Sequence, residues 1–425
     1  MHRLDGVAPV IGPGAAGTHG RNAVDDVGAV QGVDGSRATR SGRVRICLVA
    51  GEPSGDTLGA ELLKGLRTRL PGATFVGIGG PKMLSAGLEG WYPQEALAVR
   101  GLVEVLRHLG PILKIRSGLI RRLDREPVDL YVGIDAPDFN LPVERTLRRR
   151  GVPTVHYVGP TIWAWRPGRV KRIRAAVSHL LVLFPFEEPI FRRAGVTASF
   201  VGHPLVREAA EGASRVETRE ELRVPHTGSV VALLPGSRVG EIERMARVLI
   251  EAARLVHAKR PDSVFLVPFV TRETREAFEA CVWALGARDL PIRLLFGHAR
   301  KALVAADVAI VTSGTATLEA ALAGCPTVVS YRLSGFTYWL IRRLARVRAV
   351  ALPNLLLGEF VVPELLQAEA TADNLAQATL NLLDEPALRG RLIRRFAVLH
   401  DQLREPRGGS AADVVAGLIR GGQTA

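Results

Sequence analysis

Short runs of aliphatic and β-branched residues recur along the chain, and stretches with the periodicity of helices separate them. The runs are continuous instead of alternating between apolar and polar positions, which is typical of strands buried on both faces of a parallel sheet. The runs of the first half are Ile46–Ala50, Thr74–Ile78, Leu130–Ile134, Thr154–Val158, Leu180–Phe184 and Ser199–Val201. Those of the second half are Val230–Leu234, Val264–Val267, Arg293–Phe296, Val308–Val311, Thr327–Ser330 and Val350–Leu352. The pattern predicts an α/β fold with two doubly wound parallel sheets.

Domain boundaries follow from changes in this pattern. The polar segment 206–227 separates the two groups of strands, and we expect it to connect an N-terminal lobe at 44–205 to a C-terminal lobe at 206–385. After Ala370 only helical patterns occur, and the helices of 386–425 are expected to pack back on the N-terminal lobe. Residues 1–43 are rich in Gly, Ala and Asp without periodicity, so we expect a disordered extension there.

Charge narrows the choice of partners. The 425 residues carry a formal net charge of +14, which favours an anionic partner such as phosphate, a membrane surface or nucleic acid. Aromatic residues are only 5% and form no stacking platform, so nucleic acid is the least favoured of the three. The sequence shows no signal peptide and no membrane-spanning stretch, and its three cysteines form no CxxC pair, which fits a cytoplasmic protein without a disulfide framework or zinc site.

Two strand-to-helix junctions in the second half are candidates for phosphate binding. Gly236, Ser237 and Arg238 follow a buried strand, and the arginine can pair with a phosphate. In the second junction, Ser313 or Thr315 can cap a helix while the amides around Gly314 hold the anion. Glu319 lies one turn further on and can accept hydrogen bonds from ribose hydroxyls. Ordinary βα turns with solvated side chains are the alternative for both junctions.

The first half has a corresponding turn of different chemistry. Glu52, Ser54 and Asp56 lie in Gly-Glu-Pro-Ser-Gly-Asp, which lacks the lysine of a phosphate loop. Its two acids would repel a phosphate, so sugar hydroxyls are the better ligands. The alternative is that Ser54 or Asp56 only caps the helix that follows.

Asp135 is the candidate general base, because it ends a buried strand at the sheet edge where α/β proteins bind ligands. Asp138, three residues later, is more simply interpreted as a helix cap. His156 and His203 are rival bases or phosphate ligands, although a histidine at a strand end is as often structural.

Two stretches combine apolar and basic residues, Val99–Ile120 and Phe336–Val350. They suit helices lying on an anionic membrane, with Tyr338 and Trp339 near the headgroups. Core packing with a basic outer face explains them equally well. Nine basic residues and no acid between Arg145 and Arg174 again fit contact with phosphate or lipid.

Taken together and in order, the motifs resemble the lipid-A-disaccharide synthase family. They are Gly51-Glu-Pro-Ser-Gly-Asp56, Gly133-Ile-Asp-Ala-Pro-Asp-Phe-Asn140, His156-Tyr-Val, Trp163-Ala-Trp-Arg166, Gly202-His-Pro204, Leu233-Leu-Pro-Gly-Ser-Arg238, Ser313-Gly-Thr-Ala-Thr-Leu-Glu319 and Leu352-Pro-Asn-Leu-Leu356. The resemblance runs from about Arg45 to near residue 400. Pro53, where alanine is common, is a mild departure.

The resemblance implies a GT-B glycosyltransferase with two Rossmann-like lobes and a cleft between them. It implies an inverting reaction of UDP-2,3-diacylglucosamine with 2,3-diacylglucosamine 1-phosphate, at the inner face of the cytoplasmic membrane and without metal or cofactor. By that pattern Arg238, Ser313, Gly314, Thr315, Glu319 and Asn354 line the UDP pocket, and Asp135 is the base. The last helices of family members often cross back onto the first lobe or onto a partner chain, so the resemblance is compatible with a homodimer and does not fix the oligomeric state.

Two other functions stay open from the sequence. A UDP-N-acetylglucosamine 2-epimerase shares the two-lobed plan and a Gly-His-Pro motif, but it needs no surface for acyl chains. A basic scaffold that binds membrane or RNA with inactive lobes is the second alternative, and Arg238, Glu319 and Asp135 argue against it.

Overall fold

The computed structural model describes residues 43–97, 102–160, 168–206, 214–333, 349–404 and 409–423. By their contacts these residues divide into two units. We call the residues up to 204 together with those from 403 onward the first unit, and residues 205–402 the second unit. Except for Arg43, the extension expected at 1–43 lies outside the described residues.

The first unit is built on a seven-stranded sheet of order β3-β2-β1-β4-β5-β6-β7, in which neighbouring strands are parallel. In chain order its elements are β1 (Arg45–Ala50), α1 (Pro53–Arg69), β2 (Thr74–Gly79), α2 (Pro81–Ser85), β3 (Glu89–Pro93), a 3₁₀ turn (Gln94–Ala96), α3 (Leu102–Arg125), β4 (Leu130–Ile134), α4 (Pro137–Arg149), β5 (Thr154–Tyr157), α5 (Arg169–Ala176), β6 (His179–Val182), α6 (Glu187–Arg193) and β7 (Ala198–Phe200).

The second unit is built on a six-stranded parallel sheet of order β10-β9-β8-β11-β12-β13. Its elements are α7 (Arg215–Glu221), β8 (Val230–Leu234), α8 (Val239–Lys259), β9 (Val264–Phe269), α9 (Arg272–Ala284), β10 (Ile292–Phe296), α10 (Ala299–Ala305), β11 (Val308–Thr312), α11 (Thr315–Leu322), β12 (Thr327–Tyr331), α12 (Leu352–Leu357), β13 (Glu364–Leu366), a 3₁₀ turn (Gln367–Glu369), α13 (Ala372–Asp384) and α14 (Pro386–Leu403). The last helix, α15 (Ala411–Gln423), belongs to the first unit.

The two doubly wound parallel sheets are confirmed, and so are most of the predicted strands. β4 and β8 have the predicted bounds, and most others differ by one or two residues at an end. The predicted strand Val350–Leu352 is wrong, because helix α12 begins at Leu352. There the Glu364 carboxylate accepts hydrogen bonds from the backbone N–H groups of Val350 and Ala351, at 2.9–3.1 Å.

The segment 206–227 is not simply the loose polar connection that we expected, because it contains helix α7. Ser214 and Glu217 form a capping box at its start. Arg219 is buried, and it donates to the Ala305 carbonyl oxygen at 2.8 Å and to Asp307 at 2.9 Å. A polar sequence therefore folds here because the buried guanidinium of Arg219 has hydrogen-bond partners.

The C-terminal helix α15 packs on α1 within the first unit. Ala412, Val415 and Ile419 join the core cluster that contains Leu62 and Leu66. An ion pair of 2.5 Å between Arg69 and Asp413 lies beside this contact. Within the described ranges, no helix is long and apolar enough to span a membrane.

Candidate functional site

Both sheets have a topological switch point, where the chain leaves two neighbouring central strands in opposite directions. It lies between β1 and β4 in the first unit and between β8 and β11 in the second. Open α/β sheets bind ligands outside the carboxyl ends of the strands at this point. The four segments that the sequence singled out follow these four strands: 51–56, 135–140, 235–238 and 313–319.

The turn after β1 is packed closely against the turn after β4. A Cβ atom on Gly51 would lie 3.0 Å from the Ala136 Cβ, and one on Gly55 would lie 3.3 Å from the Ala50 Cβ. These glycines are therefore needed for close packing within the first unit. Glu52, half-buried, and Ser54, exposed, stand at this edge of the sheet.

Asp56 has a structural task that the sequence did not reveal. Its buried carboxylate accepts hydrogen bonds from the backbone N–H groups of Gly80, Lys82 and Met83, at 2.9–3.0 Å. It thus caps α2, the next helix, instead of its own. Three amide donors occupy this carboxylate, so it is a poor candidate for binding sugar hydroxyls.

Asp135 lies in a strained turn. Asp135 and Ala136 have positive φ angles of 51° and 43°, a conformation that costs non-glycine residues about 1–3 kcal/mol each. The Asp135 N–H donates to the Tyr157 carbonyl oxygen at 2.8 Å, and its own carbonyl oxygen accepts from the Asn140 amide at 2.8 Å. Burial raises the pKa of Tyr131 far above its ordinary value, so its hydroxyl stays protonated and donates to Asn140 at 2.8 Å. These bonds hold the half-buried Asp135 at the carboxyl end of β4.

Asp138 is separated from this network. Its side chain is 87% exposed and forms an ion pair of 2.7 Å with Arg169. The N-cap position of α4 is Ala136 and Asp138 lies inside the first turn, so the simpler interpretation of Asp138 as a helix cap is wrong. The carboxylate pairs across the surface instead.

The two candidate histidines differ from each other in environment. His156 is fully buried in β5 and its Nδ1 lies 2.7 Å from Oε1 of Glu144, which is also fully buried. His203 packs its ring against Phe184, with centroids 5.5 Å apart, and burial lowers its pKa to about 4. It is therefore neutral at pH 7.

In the second unit, the turn after β8 is open. Gly236 has a φ of 124°, which favours glycine, and the Ser237 N–H donates to the Glu241 carboxylate at 2.9 Å. The Arg238 side chain is 66% exposed and its Nη1 lies 3.7 Å from the Glu241 carboxylate. An arginine so exposed at the start of a helix can pair with an incoming phosphate.

The turn after β11 is also open. Gly314 is the N-terminal cap of α11 with a φ of 147°, and in the part of the chain that the structure describes no side chain caps this helix. The expectation that Ser313 or Thr315 caps it is therefore wrong: the Ser313 hydroxyl donates to the Val350 carbonyl oxygen at 3.3 Å. Gly314 and Thr315 are exposed, and an uncapped helix start with exposed residues suits an anion.

Asn354 is buried, and its amide is fully engaged within the second unit. Its oxygen accepts from the backbone N–H groups of Val361 and Val362, at 2.7 and 2.9 Å, and its nitrogen donates to Glu364 at 2.8 Å and to the Val362 carbonyl oxygen at 2.9 Å. It fixes the loop before β13. Glu319, half-buried, lies one turn inside α11 as expected.

Several polar groups at the two edges were missed from the sequence. Asn140 and Glu144 could have been recognised, since a spacing of four places them on one face of α4. Thr312 and Ser330 lie opposite each other on β11 and β12, and their buried hydroxyls have no hydrogen-bond partner among the described residues. The register of β11 and β12 brings Thr312 and Ser330 together, and no feature of the local sequence indicates this pairing.

Some predicted features lie outside the described residues. They are Trp163-Ala-Trp-Arg166 and most of the basic stretch Phe336–Val350, with Tyr338 and Trp339. Within the ranges that the structure covers, no group of three or more His, Cys, Asp and Glu side chains is placed to hold a metal ion.

The chain is similar to known proteins over most of its length. The family model of lipid-A-disaccharide synthetase matches residues 46–408. The lipid-A-disaccharide synthase of Methylobacillus flagellatus is 47% identical over 376 residues, which cover 88% of this chain and 99% of the relative. The enzyme of the same name from Chromobacterium violaceum is 47% identical over 381 residues, 90% of this chain and 99% of the relative.

Solved structures share the fold at low sequence identity. The UDP-GlcNAc 2-epimerase of Neisseria meningitidis, bound to UDP-GlcNAc, has a TM-score of 0.57 at 10% identity and covers 90% of this chain and 99% of its own. MurG of Acinetobacter baumannii has a TM-score of 0.52 at 17% identity, with coverages of 89% and 99%. The fold class of the chain is thus GT-B, with two parallel α/β units.

Proposed function

Because this chain belongs to the lipid-A-disaccharide synthetase family, we propose that it joins UDP-2,3-diacylglucosamine to 2,3-diacylglucosamine 1-phosphate, forming the β-1′,6-linked disaccharide 1-phosphate and UDP. The observation that carries this proposal is the position of the motifs: within the matched residues, all four segments follow the central strands at the two switch points. The first unit supplies the proton acceptor, and the second unit binds the nucleotide.

Asp135 acts as the general base in this reaction. An inverting transfer needs a group that takes the proton from the acceptor 6-hydroxyl as the new glycosidic bond forms. Asp135 fits the task because it is half-buried at the end of β4 and its backbone is held on both sides. Glu52 and Ser54, on the neighbouring turn, are proposed to bind sugar hydroxyls.

The second unit stabilises the leaving diphosphate. Negative charge grows on UDP as the bond to the sugar breaks, and groups aimed at that charge accelerate the step. The backbone around Gly236, Ser237, Ser313, Gly314 and Thr315, the positive end of the α11 dipole and the Arg238 guanidinium are proposed to serve here. Glu319 is proposed to accept hydrogen bonds from the ribose.

Both substrates carry acyl chains, so we place the enzyme at the inner face of the cytoplasmic membrane. The net charge of +14 favours anionic lipid, and helix α3 exposes Leu113 and Lys114 to solvent. Leu113→Glu should therefore lower partition into anionic vesicles, whereas Leu84→Glu, at an exposed leucine on α2, should leave it unchanged. If both variants partition equally into the vesicles, α3 is not part of the membrane-binding surface. Light scattering distinguishes a monomer from the homodimer that the resemblance leaves open.

The decisive assay is incubation of the purified protein with both diacylglucosamine substrates, followed by mass analysis of the lipid product. We expect the disaccharide 1-phosphate and one UDP for each bond formed. Conversion of a UDP-sugar in the absence of acceptor would instead favour an epimerase, and no product with either substrate would contradict the proposal.

A further inference from the structure

Glu144 and His156 form a buried ion-pairing contact that the reaction as described does not use. Both side chains are fully buried, and Nδ1 of His156 lies 2.7 Å from Oε1 of Glu144. The other polar atoms, Oε2 of Glu144 and Nε2 of His156, have no hydrogen-bond partner among the described residues. Burial raises the pKa of the Glu144 carboxyl, and the nearby His156 counteracts this shift. Since an apolar pair of similar volume is often at least as stable, stability alone does not explain this contact.

The pair lies next to the strained turn that carries Asp135. On the strand side, His156 of β5 immediately precedes Tyr157. The Tyr157 carbonyl oxygen accepts a hydrogen bond from the Asp135 N–H at 2.8 Å. On the helix side, Glu144 follows Asn140 by one turn of α4, and Asn140 donates to the Asp135 carbonyl oxygen at 2.8 Å. The pair therefore connects the two elements that hold the Asp135 backbone.

Strand β4 leaves room for this arrangement through Gly133. A Cβ atom on Gly133 would lie 2.2 Å from Oε1 of Glu144 and 2.8 Å from the Asn140 Cβ. In the sheet register Gly133 is the direct neighbour of His156. Both polar side chains of α4 thus rest on the backbone of β4, two residues before Asp135.

Positive φ angles at two successive non-glycine residues persist only where the surroundings hold them. Helix α4 could otherwise move away from β5 and release the turn. We propose that Glu144 and His156 are positioning residues, which clamp α4 to β5 and so hold the Asp135 carboxylate where it accepts the substrate proton. This inference rests on the proposed role of Asp135 as the base.

Two substitutions of His156 test the clamp. Asparagine carries its amide group near the position of Nδ1, so His156→Asn can keep the hydrogen bond to Glu144, whereas His156→Gln carries its amide near the position of Nε2 and loses it. We expect His156→Gln to lower kcat about 100-fold, with the KM for the UDP-linked donor unchanged, because a small misplacement of the base has an effect of that size. His156→Asn should retain most of the kcat.

His179→Gln is the matched control. The His179 imidazole bonds to the Ser199 hydroxyl at 2.9 Å, between β6 and β7 of the same sheet, and no described contact links it to the Asp135 turn. Thermal unfolding of each sample gives the fraction of folded protein, and kcat is expressed per folded molecule. We expect His179→Gln to keep the wild-type kcat.

If His156→Gln does not fold, the double variant Glu144→Leu/His156→Leu replaces the pair by apolar side chains. It should keep its melting temperature and still lose kcat about 100-fold. Wild-type kcat in the folded His156→Gln or double variant would overturn the clamp, and so would an equal loss in His156→Asn and His156→Gln.

Asp135→Asn, assayed beside these variants, separates the two claims. If Asp135→Asn stays active, the base has been assigned wrongly, whatever the His156 variants do. If Asp135→Asn is inactive while His156→Gln keeps its kcat, the base stands and the clamp is wrong.

Discussion

The two switch points share a topology but differ in how their turns are held. In the first unit the turns after β1 and β4 touch, and two buried hydrogen-bonded pairs, Tyr131–Asn140 and Glu144–His156, lie beside them. In the second unit the turns after β8 and β11 contain exposed residues, and no described side chain caps the α11 N-terminus.

Glycine shows the difference most directly. Gly133 is needed because a Cβ atom there would lie 2.2 Å from Oε1 of Glu144, whereas a Cβ atom on Gly314 would lie more than 4 Å from the other described residues. Gly314 is needed instead for its φ of 147°. One edge thus holds a side chain still, and the other carries an exposed arginine and the exposed start of a helix. A fixed proton acceptor and an anion site have these opposite requirements.

The largest effect is expected for Asp135→Ala. Removing a general base should lower kcat about 10³-fold, while UDP affinity, a property assigned to the second unit, stays near that of the wild type. Steady-state kinetics and UDP titration measure the two quantities. Asp138→Ala is the control, because that carboxylate is exposed and lies only three residues further along, in the first turn of α4. An equal loss of kcat in Asp135→Ala and Asp138→Ala would contradict the assignment of Asp135 as the base.

Acid should destabilise the first unit through His203. Burial lowers its folded pKa to about 4, below the ordinary value of 6.5, so between these pH values the unfolded chain binds the extra proton. Stability should therefore fall as pH drops from about 6.5 to about 4, by at most about 3 kcal/mol, and then level off for this group. Denaturant unfolding of the wild type and His203→Phe measures the effect. The same pH dependence in both would refute the assignment.

Gly133→Ala should be more destabilising than Gly314→Ala. The first change pushes a methyl group into the Glu144 carboxylate, which we expect to cost about 2 kcal/mol of unfolding free energy. Among the described residues, nothing lies within 4 Å of a Cβ atom on Gly314, and the cost of the second change is backbone strain at a φ of 147°. We expect the exposed turn to relieve part of this strain by shifting, so that the unfolding free energy falls by less than for Gly133→Ala and UDP binding also weakens. Thermal unfolding and UDP titration of both variants check this order, and the reverse order would contradict the contrast between the two edges.

The smallest effect is expected for Arg238→Ala. Loss of one exposed guanidinium from a phosphate site should weaken UDP binding about tenfold, and less at high salt. Arg247→Ala, at another exposed arginine of α8, should leave UDP binding unchanged. Calorimetric titration with UDP at two salt concentrations compares the two variants. An unchanged UDP affinity in Arg238→Ala would show that Arg238 is not part of the phosphate site.

The sequence predicted the central strands well because they are continuous apolar runs, as in Leu130–Ile134 and Val230–Leu234. The edge strands β3 and β13 escaped notice, since only one of five β3 residues is buried and none of the three in β13. Asp135 and Gly314 were also predicted to lie at the ligand-binding edges of the sheets, because their motifs directly follow predicted central strands.

What the sequence could not show are contacts between distant elements. Asp56 bonds to backbone groups 24–27 residues away, and Asn354 bonds to the loop before β13. A short polar side chain looks the same in sequence whether it faces a ligand or a backbone amide. Only the fold shows that His156 has Glu144 as its neighbour.

A crystal structure of the protein with UDP tests the central claim most directly. The account predicts the diphosphate beside the turns 236–238 and 313–316, within about 3 Å of the Arg238 guanidinium, with no nucleotide at the 51–56 and 133–136 turns. A diphosphate bound at those turns of the first unit, with 236–238 and 313–316 untouched, would contradict it.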